Sequence, residues 1–300
     1  MARVYLVHPD TREAGIRSLC TEFDLSKFQG AKTVLKANYN SADPFPASTH
    51  PDTLRSLAGL LHDAGAGGIT LVERSGMGNT RKVLERTGVM QVAEEIGFSV
   101  QVLDDLGPEG WERFEAPGMH WKKGVLLPRL VTGAERIVQT CCLKTHRFGG
   151  HFTMSLKNSV GLVAGREPRG FHDYMGELHG SREQRLMIAE INIGYRTDLV
   201  IMDAMMGFCD GGPERGTVFS PGLMLSSADR VAIDAVGIAL LRQHGSTPEV
   251  MRGTIFDLDQ ISRAAGTGVG AASAKDIELV PLDDYSRTIV AEIAPVLAAG

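Results

Sequence analysis

Only four cysteines (Cys20, Cys141, Cys142 and Cys209) occur in the 300 residues, none in a C-x-x-C spacing, and no apolar leader follows Met1. These absences argue against a secreted disulfide scaffold and a structural zinc site, and make a reducing cytoplasm the expected location. No apolar run approaches the roughly 20 residues that span a bilayer. The formal net charge of −5 gives no general attraction to nucleic acid or anionic lipid, so neither nucleic acid nor membrane is an expected partner. Walker A, nucleophile-elbow and H-E-x-x-H motifs are missing. The glycine clusters "GAGG" (65–68) and "GTGVG" (266–270) follow helical patterns and precede strands, whereas a dinucleotide fingerprint needs the strand first. They read as helix C-caps and loops, so no NAD or ATP site is expected.

What is present is a hydrophobic content of 43%, enough for a proper core, and 35 glycines scattered between periodic segments. Short apolar runs alternate with amphipathic ones. "ARVYLVH" (2–8), "KTVLKAN" (32–38), "GITLVER" (68–74), "FSVQVLDD" (98–105) and "ERIVQTCCLK" (135–144) read as strands. A helix is expected over 51–65, opened by Thr49 to Pro51, and helices over 80–97. Further on, "DLVIMDAM", "GLMLSSAD" and "DIELVPL" read as strands, and "REQRLMIAEINIGY", "RVAIDAVGIALLRQHG" and "MRGTIFDLDQISRAAG" as helices. This grammar predicts an α/β protein with a largely parallel sheet and helices on both faces. Periodicity fades between about 105 and 130, where Pro108, Pro117 and Pro128 fall. Two α/β lobes around a cleft, 1–125 and 126–300, are the expected organisation, with one continuous domain over 1–300 as the alternative.

The stretch "CCLKTHRFGGHFTMSLKNSVGLVAG" (141–165) concentrates polar chemistry. Between Cys141 and Phe171, Lys144, Arg147, Lys157, Arg166 and Arg169 face a single acid, Glu167. A locally basic segment inside a net negative protein, starting where an apolar strand ends, is what an anion pocket in an open α/β sheet requires. Lys36 and Asn38 lie at another strand end. Lys36, Asn38, Lys144, Lys157, Asn158 and Arg166 are therefore the expected binders of a small anionic substrate. His146 is the expected general base or metal ligand, and Asp203, closing the "DLVIMDAM" strand, the carboxylate that orients it. A transition metal such as Zn, Fe or Ni would find its donors among His146, His151 and His172. Asp210 and Cys209 share a turn-forming loop, and Cys141 and Cys142 belong to the core of their strand.

These motifs together resemble a known family. "LKTHRFGGHFTMSLKNSVGLVAGREPRGFH" resembles the K-T-H, T-x-x-x-K-N-x-x-G and H pattern of the family catalogued as domain of unknown function 362. The K-x-N and T-H-P of "LKANYNSADPFPASTHPD", the D-L-x-I-x-D-A of "DLVIMDAMMGFCDGGPERG" and the D-x-V-A-x-D-A of "SSADRVAIDAVGIALL" follow in order, so the resemblance covers about residues 30–245. Many members carry an appended ferredoxin-type cysteine run. This chain lacks it, so no iron-sulfur cluster is expected. More distantly, the polar N-terminal loop, helix and Gly-Ala bend are similar to nickel-dependent lactate racemase-like proteins, whose cofactor-bearing lysine and histidines have no assigned counterpart here. Two functions are expected: a redox, isomerase or lyase enzyme on a small anionic metabolite, metal-assisted or not; or a non-catalytic accessory protein carrying a metal or ligand. The sequence leaves homo-oligomerisation open.

Overall fold

A computed structural model describes residues 1–149 and 151–299. Its strands, in chain order, are β1 (Ala2–Val7), β2 (Lys32–Lys36), β3 (Gly68–Glu73), β4 (Ser99–Val102), β5 (Trp111–Phe114) and β6 (Val125–Pro128). They continue with β7 (Arg136–His146), β8 (His151–Phe152), β9 (Leu199–Gly211), β10 (Gly216–Phe219), β11 (Leu223–Ser227) and β12 (Ile277–Pro281). One mixed, mostly parallel sheet runs in the order β12-β1-β11-β9-β7-β2-β3-β4, with β8 and β10 attached to β7 and β9. The central pairs β9–β7, β7–β2, β2–β3 and β3–β4 are parallel.

Helices cover both faces. On one, Leu35, Leu71, Val138 and Ile201 pack against Ile16 and Leu19 of the helix Arg12–Cys20 and against Leu54, Leu57 and Leu61 of Pro51–Asp63. On the other, Cys141, Leu143, Val200 and Met202 pack against Val231, Ala235 and Ile238 of Arg230–His244. Val34, Val72 and Ile137 cover Trp111, Trp121 and the helix Gln184–Ile191. The central strands carry apolar residues on both faces because helices cover both.

The chain order places a crevice. From β2 the path runs outward to β3 and β4, then returns to β7 on the other side of β2 and continues to β9. The strand order thus reverses between β2 and β7. Open α/β sheets bind ligands at such a reversal, beyond the carboxyl ends of the strands.

Three local expectations are corrected. The helix after β2 is capped by His50, whose Nδ1 accepts from Asp52 N (3.1 Å), while Thr49 Oγ1 accepts from Asn38 N (2.9 Å) and ties down the loop. The segment 105–130 holds the antiparallel pair β5–β6, too short and too irregularly flanked to show a period. The helix expected over 251–266 is broken: Thr254 and Asp257 form a capping box that starts a short turn, and the helix resumes at Asp259–Gly266.

The Arg230–His244 helix reaches the crevice through Asp234. Its Oδ1 and Oδ2 accept from Ser155 N (2.8 Å) and Leu156 N (2.9 Å), holding the one-turn helix Ser155–Asn158. Gln139 Nε2 donates to Ser155 O (2.6 Å), and Asn192 Nδ2 donates to Leu156 O (3.0 Å). A short helix with little cohesion of its own is thereby fixed at three points.

Burial pushes the Asp234 carboxyl up to about 7 against the pull of those two N–H groups. The folded chain therefore holds a proton that an unfolded Asp releases near 3.9. This contribution is complete below that value and is lost as pH rises through about 7. Asp234→Asn should flatten that part of the stability profile, and Asp234→Ala, leaving two buried donors unmet, should cost about 2–4 kcal/mol. Denaturant titrations of the three proteins between about pH 5 and about pH 8 measure both effects.

Candidate functional site

The crevice holds a cavity of 360 Å³, within the range of small-molecule sites. Lys36, Asn38, Lys144, His146, Lys157 and Asn158 all line it, together with Asn40, Glu73, Arg74, Gly161 and His179. Six residues proposed from distant parts of the sequence therefore share one wall. Period-two alternation explains part of this: Lys144 and His146 face the cavity, while Thr145 between them turns to β9 and donates to Phe208 O (3.3 Å).

Lys36 is the most constrained of the cations. Its buried Nζ donates to Glu73 Oε1 (2.7 Å) and Oε2 (2.8 Å), to Asn158 Oδ1 (2.9 Å) and to Ala37 O (2.5 Å). Glu73 in turn accepts from Arg74 N (3.0 Å) and Tyr39 N (3.0 Å), and Asn158 Nδ2 donates to Thr140 O (3.0 Å). Burial lowers the Lys36 ammonium and raises the Glu73 carboxyl, each opposed by the attraction of the other. The K-N-x-x-G spacing acquires a physical meaning here. A Cβ on Gly161 would stand 2.6 Å from Glu73 Oε1 and 3.0 Å from Lys36 Nζ, so only glycine lets the turn close over the pair.

Lys144 and Arg74 are satisfied differently. Lys144 Nζ donates to Pro46 O (2.9 Å) and Ala47 O (2.5 Å); Arg74 donates to Val163 O (2.7 Å) and Val160 O (3.0 Å). Lys157 has no hydrogen-bond or ion-pair partner among the described residues, and desolvation plus the fields of Lys144 and Arg74 bring it down to about 8. His146 Nδ1 is buried without a partner among the described residues, and desolvation with the nearby Lys157 and Lys144 holds the imidazole at about 2, neutral at any physiological pH. The lining thus carries Lys36, Arg74, Lys144 and Lys157 against Glu73 alone, a net charge of +3.

The other expected residues lie elsewhere. Asp203 is fully buried, and its Oδ2 accepts from Arg12 Nε (2.7 Å) and Thr53 Oγ1 (2.6 Å) and its Oδ1 from Met205 N (3.2 Å). It anchors two helices and does not reach His146. The register gives the reason: Asp203 sits beside Cys142, and four residues of extended strand, roughly 13 Å, separate Cys142 from His146. Strand β9 continues past Asp203 to Gly211, so the carboxylate is not at the strand's end. Arg166 is exposed and pairs with Asp173 (3.5 Å). His172 Nε2 bonds Glu177 (2.7 Å). His151 is the cross-strand partner of His146, but its backbone is left-handed (φ 59°) and its imidazole stands in the fields of Arg185, Glu249 and Asp259, outside the cavity lining. A transition ion needs three or four donors at about 2.0–2.3 Å. Among the described residues, no group of three His, Cys, Asp or Glu is placed to hold one, and the cationic lining opposes a further cation. The residues present do not fit a metal. Glu73 and Arg74 were not singled out from the sequence, although a charged pair closing the apolar strand "GITLVER" was the available signal.

Removing one partner of a buried ion pair leaves the other charge uncompensated, and Glu73→Ala should cost about 3–5 kcal/mol. The double variant Lys36→Met with Glu73→Leu should recover most of that loss. Denaturation of the single and double variants measures the coupling, and an additive result would show that the pair is not a unit.

No curated protein matches the chain. Among solved structures it is similar to the lactate racemase apoprotein from Thermoanaerobacterium thermosaccharolyticum, at 11% identity over 96% of this chain and 85% of that one, with a TM-score of 0.46. Residues 33–239 match the family described as "Domain of unknown function (DUF362)", a span that takes in the Lys36, Lys144–His146, Lys157–Gly161 and Asp229–Ala235 segments. The chain belongs to the DUF362 family.

Proposed function

We propose that the cavity binds a small anionic metabolite and that the chain is an enzyme acting on it, by isomerase, lyase or redox chemistry. The observation that carries this reading is an excess of positive charge in the cavity lining with unused valence. Among the described residues, Lys157 and His146 Nδ1 lack partners inside a lining of net charge +3. A carboxylate or phosphate would complete both and relieve the mutual repulsion of Lys144, Lys157 and Arg74. Backbone carbonyls hold Lys144 and Arg74 in place beforehand, so the ligand meets groups that are already oriented.

Desolvation first, and the same field second, limit His146. An imidazole held near 2 is too weak a base to take a proton at neutral pH. A bound anion would offset the adjacent ammonium charge and so oppose the field's share of that depression, while the share due to desolvation would stand. Of the other reading of the sequence, an accessory protein carrying a metal or ligand, the metal-carrying form is less well supported because the lining presents lysines where ligands would be needed.

Sulfate, a dianion across the working pH range, is a suitable probe. Calorimetry should show it binding at neutral pH, with Lys157→Ala weakening it by about tenfold or more, the scale of a lost hydrogen bond to a charged group. Lys157 is charged below about 8 and neutral above it, so affinity should fall as pH rises through that value. Affinity flat to pH 10 would remove Lys157 from the site.

A further inference from the structure

We propose that Lys157 is a nucleophilic amine that condenses with the carbonyl group of an anionic keto or aldehyde acid held in this cavity, forming an imine. The inference rests on the anion-binding reading above and narrows the substrate class to acids that carry a carbonyl.

Three lysines line the cavity, and their environments separate them. An amine attacks through its lone pair, so it must be able to lose a proton and must not be committed to other bonds. Lys36 is locked to Glu73, Asn158 and Ala37 O. Lys144 donates to two backbone carbonyls, which can only accept and so retain its protons. Lys157 has neither kind of partner among the described residues and is partly exposed, within reach of a ligand. Its own helical turn is pinned by Asp234, Gln139 and Asn192, which fixes the origin of its side chain.

The surrounding charges favour the neutral amine. Near 8, about a tenth of the groups are unprotonated at neutral pH, against well under one in a thousand for an ordinary lysine. Desolvation beside other cations is a general way to activate a lysine for attack on carbonyls. The rest of the cavity supplies what such a substrate needs: Arg74 and Lys144 for its carboxylate, and neutral His146 beside the reacting nitrogen.

The step balances without a further reagent. The Lys157 lone pair forms a C–N bond to the carbonyl carbon while the C=O π pair moves onto oxygen. One proton passes from nitrogen to that oxygen, and solvent supplies a second. The C–O bond then breaks, water leaves, and the iminium returns one proton, so amine and carbonyl give imine and water. The resulting C=N withdraws electrons from the neighbouring carbon, which is the activation that isomerase and lyase reactions of keto acids require.

The test is reductive trapping. The full chain is incubated with pyruvate, the smallest ketone bearing a carboxylate, reduced with borohydride, and mapped by peptide mass spectrometry. A reduced carboxyethyl group concentrated on Lys157, suppressed by saturating sulfate and lost in Lys157→Arg, is the expected result; a thermal melt establishes that the variant is folded. Label spread over the exposed lysines without preference for Lys157 would overturn the proposal. Sulfate binding by calorimetry in the same preparation separates the two levels. Sulfate bound with Lys157 unlabelled would refute imine formation alone, and neither sulfate heat nor label would remove the anion site itself.

Discussion

The buried pair between Lys36 and Glu73 is the constraint from which the cavity's architecture follows. It joins the carboxyl ends of two parallel strands, and Asn158 makes it a three-way junction by accepting from the same ammonium. Neither charge can be removed cheaply, because each is compensated by the other and by hydrogen bonds with the backbone and, for Lys36, with Asn158. The wall between β2, β3 and the Ser155–Asn158 turn is therefore rigid where a ligand would rest on it. Gly161 belongs to this arrangement, since any side chain there would intrude on the pair.

The fold explains why the motifs are scattered along the chain. A strand-order reversal opens a crevice between β2 and β7, and residues at the ends of those strands meet there whatever their separation in sequence. Lys36 and Lys144 enter on neighbouring strands, and Lys157 enters on a turn held by the Arg230–His244 helix. The Asp234 contact reaches across 78 residues to the backbone of Leu156. An acidic residue within the apolar middle of that helix is thus accounted for by the two backbone donors that it satisfies.

Much of this was legible from residue type and place. Lysine, asparagine and histidine just past apolar strands marked Lys36, Asn38, Lys144, His146, Lys157 and Asn158, and period two put Lys144 and His146 on one face. Asp203 was misplaced because hydrophobic pattern shows that a strand exists without showing how far it continues or which neighbour it aligns with. Strand β9 runs to Gly211, with a register shift against β7 after Cys142. Spacing likewise gave no account of His151, whose left-handed backbone and charged surroundings arise from the tertiary structure. Glu73 was hidden for the opposite reason: it continues a strand pattern, and its importance comes from a partner 37 residues away.

The manner in which the cations are satisfied decides what the cavity can do. A carboxylate beside each lysine would anchor it and cancel its charge. Only Lys36 is treated so. Lys144 and Arg74 are anchored by the carbonyls of Pro46, Ala47, Val160 and Val163, which orient the groups and leave their full charge standing. Lys157 is left with the consequence: a low-dielectric position, uncancelled neighbours and no acceptor of its own. Such a cavity keeps a positive excess, and Lys157 is its one amine without a bond among the described residues. The binding and reactivity proposed for Lys157 would therefore draw on the same feature, the use of neutral acceptors to position charged donors.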